Sequence, residues 1–245
     1  MRVGLFVTCL VDLIRPSIGF AALRLLRAAG CEAVVPVTQT CCGQPGYNSG
    51  DRTAAKALAR KVLKEFDGCD YVVVPSGSCG GMIRVHYPAL FADEPEMRET
   101  VQRVAKRTYE LTDFLTNVAK LETPPGHYSG SLTYHDSCSG LRELGVQAQP
   151  RALLAKLPGV KLTEMRESTT CCGFGGTFSV KFGDISARMA DNKCAHIAQT
   201  GAGAIVAGDL GCLLNIEGRL RRRGDLQTRV LHIAEVLTGE DGVCK

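Results

Sequence analysis

The chain has 245 residues, a formal net charge of +4, 45% apolar residues and only 6% aromatic ones. That length suits one large domain or two modules of roughly 120 residues, and either buries enough apolar surface to fold without covalent staples. No apolar stretch approaches the ~18 residues of a spanning helix, so no membrane span is expected. The scarcity of aromatics argues against a nucleic-acid-binding stripe, and the cluster Arg219, Arg221, Arg222 and Arg223 reads as the solvated end of an amphipathic helix.

In chain order, the β-branched run 3–7 predicts a strand, and the pattern over 17–29 a helix. A strand over 33–37, a helix over 51–66 capped by Asp51, a buried strand over 71–74 and a helix over 80–91 follow. Residues 110–115 read as a short extended piece running into a helix. Prolines at 124 and 125 mark a linker. Beyond it the order repeats, with strands over 131–134, 160–162 and 204–207, helices over 150–157 and 184–200, and a close at 232–237 that answers 110–115. The expectation is an α/β chain of two pseudo-symmetric modules, residues 1–123 and 128–245, each a small, mostly parallel sheet flanked by helices.

Eight of the twelve cysteines repeat one spelling. The first copy is Cys9, Cys41-Cys42-Gly43 and Cys79; the second is Cys138, Cys171-Cys172-Gly173 and Cys212, with offsets of 129, 130, 130 and 133 residues. Each cysteine follows the carboxyl end of a predicted strand, the edge at which open parallel sheets bind ligands. One basic residue near the N-terminus, and an apolar run broken by Asp12 and Arg15, argue against a secretory signal. A reducing, cytoplasmic setting leaves thiols free to bind metal.

The chain contains no C-x2-C pair of the kind that builds zinc knuckles. Adjacent thiolates converge more readily on a multi-iron cluster, and the glycine after each pair permits the positive φ of the turn. Four thiolates per module match the usual count for an iron–sulfur cluster. Cys9, Cys41, Cys42 and Cys79 are thus candidate ligands of one cluster, expected as 4Fe-4S, and Cys138, Cys171, Cys172 and Cys212 of the other, with zinc as the alternative. Cys79 and Cys212 are expected to open helices whose dipoles favour a thiolate. Cys31, Cys69, Cys194 and Cys244 stand outside the repeat and read as buried, inert thiols. His135, three residues before Cys138, could hydrogen-bond a cluster sulfide or a substrate, or be a satisfied core residue; His86, His127, His196 and His232 show no ligand spacing. Gly173-Phe174-Gly175-Gly176 fails the dinucleotide fingerprint.

At these residues the chain resembles the cysteine-rich CCG-domain family, which includes a heterodisulfide reductase component and the iron–sulfur component of glycolate oxidase. The likeness runs through Cys41-Cys42-Gly43-Gln44-Pro45, Ser76-Gly77-Ser78-Cys79, the stretch from Cys171 to Lys181, Cys212-Leu213-Leu214-Asn215-Ile216 and His232-Ile233-Ala234-Glu235-Val236-Leu237. It implies a cytoplasmic subunit of an L-lactate oxidising system, working with a ferredoxin-like iron–sulfur subunit and a third subunit. The chain departs from the fuller pattern of the heterodisulfide reductase component by having Ser76 and Asp209 where a further cysteine would stand. That favours four cysteines per cluster, or a weak oxygen ligand from either residue.

The leading expectation is electron transfer within an oxidoreductase complex. Hydride removal from a small 2-hydroxy acid normally uses a flavin or nicotinamide, so substrate oxidation by this chain alone is not implied and no catalytic residue is assigned. If substrate does bind here, His135 and Lys181 are the candidates for proton and carboxylate contacts. The alternatives are a zinc- or cluster-stabilised scaffold without a redox role, a glycolate oxidase subunit, and a thiol–disulfide enzyme built on the vicinal pairs.

Overall fold

The computed structural model describes residues 1–239. Strands β1 (Arg2–Leu5), β2 (Glu32–Val34), β3 (Tyr71–Val74) and β4 (Thr108–Glu110) form one sheet; β5 (Gly130–His135), β6 (Val160–Leu162), β7 (Ala204–Ala207) and β8 (Arg229–His232) form another. Their orders are β2-β1-β3-β4 and β6-β5-β7-β8, and all pairings are parallel. The register repeats as well: Val3 pairs with Ala33 and Tyr71, and Leu132 with Leu162 and Ala204. The expected α/β duplication is therefore present in both topology and pairing. In each sheet the order reverses beside the first strand, which opens a crevice at the carboxyl edge between the first and third strands.

Burial explains the strongest elements. Val72, Val73 and Val74 are fully buried, as parallel strands covered on both faces require. The helix Arg52–Phe66 starts on Asp51, whose side chain accepts from Ala54 N, and it buries Ala55, Ala59, Val62, Leu63 and Phe66, a single stripe at helical spacing.

Three expectations are corrected. The strand over 33–37 stops at Val34, because Pro36 has no N–H for a ladder and Val37 is 98% exposed. The helix expected from 80 begins at Gly77 and passes through a π-type turn at Met82–His86 before Tyr87–Leu90. Short helices Cys9–Ile14 and Cys138–Leu144 follow β1 and β5 where none was expected. The Arg219–Arg223 cluster does end the helix Leu210–Arg222, although Arg219 and Arg223 both pair with Asp191. Cys244 lies outside the described residues. Among those residues no helix is long and apolar enough to cross a membrane.

The modules meet through two pairs of equivalent contacts. The helix Ser17–Ala28 packs on the closing helix Ile233–Thr238, where the fully buried Glu235 accepts from Arg15 Nε at 2.8 Å and Ser17 Oγ at 2.7 Å. Reciprocally, the helix Ala148–Leu154 packs on the turn Leu111–Asp113, with Gln149 Nε2 donating to Asp113 Oδ1 at 3.2 Å. Nearer the cysteines, the helix Gly77–Gly81 presses on Cys138–Leu144 so closely that a Cβ on Gly77 would stand 2.7 Å from Gly140 Cα. In the counterpart contact, between Cys9–Ile14 and Leu210–Arg222, Leu210 takes the place of Gly77 and Val11 that of Gly140.

Candidate metal centres

In each module three loops bring four thiols to the crevice. Cys9 begins the helix after β1, the vicinal pair follows β2, and Cys79 is the third residue of the helix after β3. Cys42 Sγ and Cys79 Sγ are 3.3 Å apart, and Cys9, Cys41 and Cys42 form a chain of thiol hydrogen bonds. The second module repeats the chain from Cys138 through Cys171 and Cys172 to Cys212. All eight candidate ligands are thus brought together as two quartets. Gly43 and Gly173 adopt φ of 86° and 89°, and each N–H donates to the sulfur two residues earlier, Cys41 or Cys171, at 3.4 Å. The space beside both glycines is also filled, by the Ala55 and Ser186 carbonyls.

Such quartets cannot all ionise without a cation. The Cys41 and Cys171 thiols are pushed far down by hydrogen bonds from neighbouring thiols, while those of Cys9, Cys42, Cys138 and Cys172 are pushed far up by donating to the first anions and by burial. A bound metal group resolves this conflict by stabilising every thiolate at once. Helix geometry helps: Ser76 Oγ accepts from Cys79 N at 3.3 Å and Asp209 Oδ1 from Gly211 N at 3.2 Å, so Cys79 and Cys212 sit in capped first turns at positive dipole ends. These helices begin two residues before the cysteines rather than at them.

Ser76 and Asp209 line the same cavity as the first-module thiols, with their oxygens engaged in hydrogen bonds. Asp209 Oδ2 accepts from Ser76 Oγ at 3.1 Å and from Ser78 N at 2.9 Å, so the two residues at the missing cysteine positions bind each other across the module boundary. A cavity of ≈ 160 Å³ opens beside this link, with Cys9, Cys41, Cys42 and Cys79 on one wall and Phe174 and Leu210 of the second module on the other. The Phe174 ring occupies the space that a Cβ on Gly211 would need. In the first module Gln44, the counterpart of Phe174, instead donates to the Ser78 carbonyl at 3.2 Å.

The groups behind the thiols differ between the modules. Three residues before Cys9 stands Phe6, fully buried and edge-on to Phe66; three before Cys138 stands His135, also fully buried. Gly43 rests on Ala55 and Gly173 on Ser186, and seven residues further along the same helices come Val62 and Lys193. Lys193, 1% exposed, donates to the carbonyls of Glu167 and Ser168. Burial pulls its ammonium down from the usual lysine range, opposed by the charges of Cys172, Asp136 and Cys212. Burial, and then the charge of Lys193, lower the His135 imidazole to about 4. Asp136 anchors this polar layer, paired to Arg151 at 2.7 and 2.9 Å and accepting from Ser168 Oγ at 2.9 Å.

Sequence reasoning placed the cysteines but missed Lys193, which superposing the two copies at Gly43 and Gly173 sets opposite the apolar Leu63. Lys181 is exposed on the short helix Thr177–Lys181, whereas His135 is fully buried. Cys31, Cys69 and Cys194 are buried among apolar side chains, as expected of inert thiols. His232 caps its helix, accepting from Ala234 N at 3.1 Å.

Comparison with known proteins agrees with this geometry. The pattern described as "Cysteine-rich domain" (CCG) matches residues 3–84 and again 132–217. Lactate utilization protein A of Geobacillus thermodenitrificans is 47% identical over 237 residues, covering 97% of this chain and 98% of that protein. The protein of the same name from Bacillus subtilis is 46% identical, with 97% and 99% covered. Among solved structures, a hypothetical protein from Helicobacter pylori matches the fold with a TM-score of 0.66 at 13% identity, covering 100% of this chain, which spans 49% of that one.

Proposed function

Because the chain belongs to the cysteine-rich CCG-domain family, we propose that it is the iron–sulfur electron-transfer subunit of a complex that oxidises L-lactate to pyruvate in the cytoplasm. The observation that carries the reading is the convergence of two thiol quartets at equivalent sheet edges, each with an N–H on a sulfur. The name shared by relatives at 46–47% identity supports lactate as the substrate of the system.

The residues suit a cluster in each module: Cys9, Cys41, Cys42 and Cys79 hold one, and Cys138, Cys171, Cys172 and Cys212 the other. A bound cluster supplies a one-electron store, so two match the two electrons released when a 2-hydroxy acid becomes a 2-oxo acid. The Gly43 and Gly173 N–H groups and the dipoles behind Cys79 and Cys212 stabilise thiolate charge. Cys9, Cys41, Cys138 and Cys171 are half-buried, which leaves one side of each quartet within reach of a ferredoxin-like partner, while a third subunit completes the complex.

The test is iron, acid-labile sulfide and zinc per chain on anaerobically prepared protein, with Cys42→Ser and Cys172→Ser in parallel. About eight irons falling to about four in either variant is the expected result. A second reading, a zinc-stabilised scaffold, draws on one observation: an imidazole nitrogen of His135 and the sulfurs of Cys172 and Cys212 lie within 4.8 Å of one another. Stoichiometric zinc without sulfide would establish it in place of the first.

A further inference from the structure

We propose that His135, through Nε2, gives the metal group of the second module a fifth protein donor that the first module lacks. The inference rests on the cluster reading above and concerns one residue of this chain. His135 Nδ1 lies 3.2 Å from the Ser168 carbonyl oxygen, which can only accept, so Nδ1 carries the ring proton. The neutral ring therefore presents its lone pair at Nε2. That atom is fully buried and has no hydrogen-bond partner, an arrangement that folded proteins avoid unless something else occupies the lone pair. A ring nitrogen of His135 and the sulfurs of Cys172 and Cys212 lie within 4.8 Å of one another, and both sulfurs belong to the buried thiols of their quartet.

The ring is also oriented as a ligand histidine is, by a fixed carbonyl behind it. Ser168 is held by its own hydroxyl on Asp136, and Asp136 by both Arg151 nitrogens, so the carbonyl that orients the imidazole is itself fixed in place. A histidine kept only for packing would need none of this support, and Phe6 fills the equivalent space in the first module with no polar atom.

The test is pulsed electron paramagnetic resonance on full-length protein, reduced anaerobically and grown with ¹⁵N-histidine. Cys42→Ser confines the signal to the second module and Cys172→Ser to the first. A strongly coupled histidine nitrogen is expected in unsubstituted and Cys42→Ser protein. It should be absent from Cys172→Ser, and lost in His135→Gln while iron and sulfide remain. Iron and sulfide present in Cys42→Ser with no strong histidine coupling would overturn the fifth donor yet leave the cluster reading standing. Absence of iron and sulfide from every preparation would overturn both.

Discussion

The two helix contacts beside the cysteines occupy equivalent places, yet one is closed and the other open. Gly77 meets the Gly140 backbone directly, whereas Leu210 and Val11 fill the matching positions next to a cavity of ≈ 160 Å³. The backbone leading into each crevice differs in the same sense. Thr8, before Cys9, holds a φ of 73°, which is unusual for a β-branched residue, while Ser137, before Cys138, sits at −63°. The first module thus keeps its left-handed residue directly before Cys9 and open space beside its thiols, whereas the second carries one at Glu167, φ 59°, in the loop before Cys171, and is filled by Phe174 and backed by charge. Duplication preserved the ligands and left their surroundings free to diverge.

The largest test forces the closed contact to resemble the open one. Gly77→Leu drives a side chain into the Gly140 backbone, which cannot rotate away, and should cost about 3 kcal/mol or more, lowering the melting temperature by roughly 6–12 °C. An unchanged melting temperature would show that the closed contact is not as rigid as its geometry implies.

The ends of β4 and β8 give a second, opposed pair. Burial raises the Glu110 carboxyl to about 7, and it lowers His232 to about 4, helped by Arg15. Folded Glu110 binds more protons than the unfolded chain between its ordinary 4.5 and about 7, so stability is lost as pH rises through that window. Folded His232 binds fewer protons between about 4 and 6.5, so stability is lost as pH falls through it. Each effect is about 3 kcal/mol at full extent. Urea unfolding across pH should lose the alkaline-side decline in Glu110→Gln. His232→Asn should ease the acid-side decline, leaving the share due to His135. Both substitutes can still accept the helix-capping bonds.

Much of this was legible in the sequence, for physical reasons. Cysteine spacing survives as spelling, and Tyr71–Val74 and Ala204–Ala207 are uniform enough to read as buried strands. The helices Cys9–Ile14 and Cys138–Leu144 were not legible, since six or seven residues are too few to show a period. Lys193 was hidden because a lysine within a helix ordinarily faces water. Ser76 and Asp209, viewed as possible weak ligands, are engaged with each other, a pairing 133 residues apart that local sequence does not encode.

Smaller effects sharpen the contrast behind the thiols. Lys193→Met should make reduction of the second-module cluster about tenfold less favourable, 59 mV for a one-electron couple, and leave the first unmoved. Redox titration with the two cysteine variants separates the centres; equal shifts in both would deny that the lysine acts locally. Asp209→Asn should destabilise the chain by about 1–2 kcal/mol in urea unfolding, because an amide keeps one accepting oxygen and must give up either the Ser76–Ser78 link at Oδ2 or the Gly211 N–H cap at Oδ1.

The Ser76–Asp209 link also bears on symmetry. A dimer of identical modules about a two-fold axis would set like against like at these positions, serine on serine or aspartate on aspartate, as any isologous interface must. Two buried carboxylates facing each other would repel, and two serines would carry no charge-assisted bond. Joining the modules in one polypeptide allows a donor to face an acceptor. The chain is therefore a heterodimer in covalent form, and two copies of either half could not reproduce its seam.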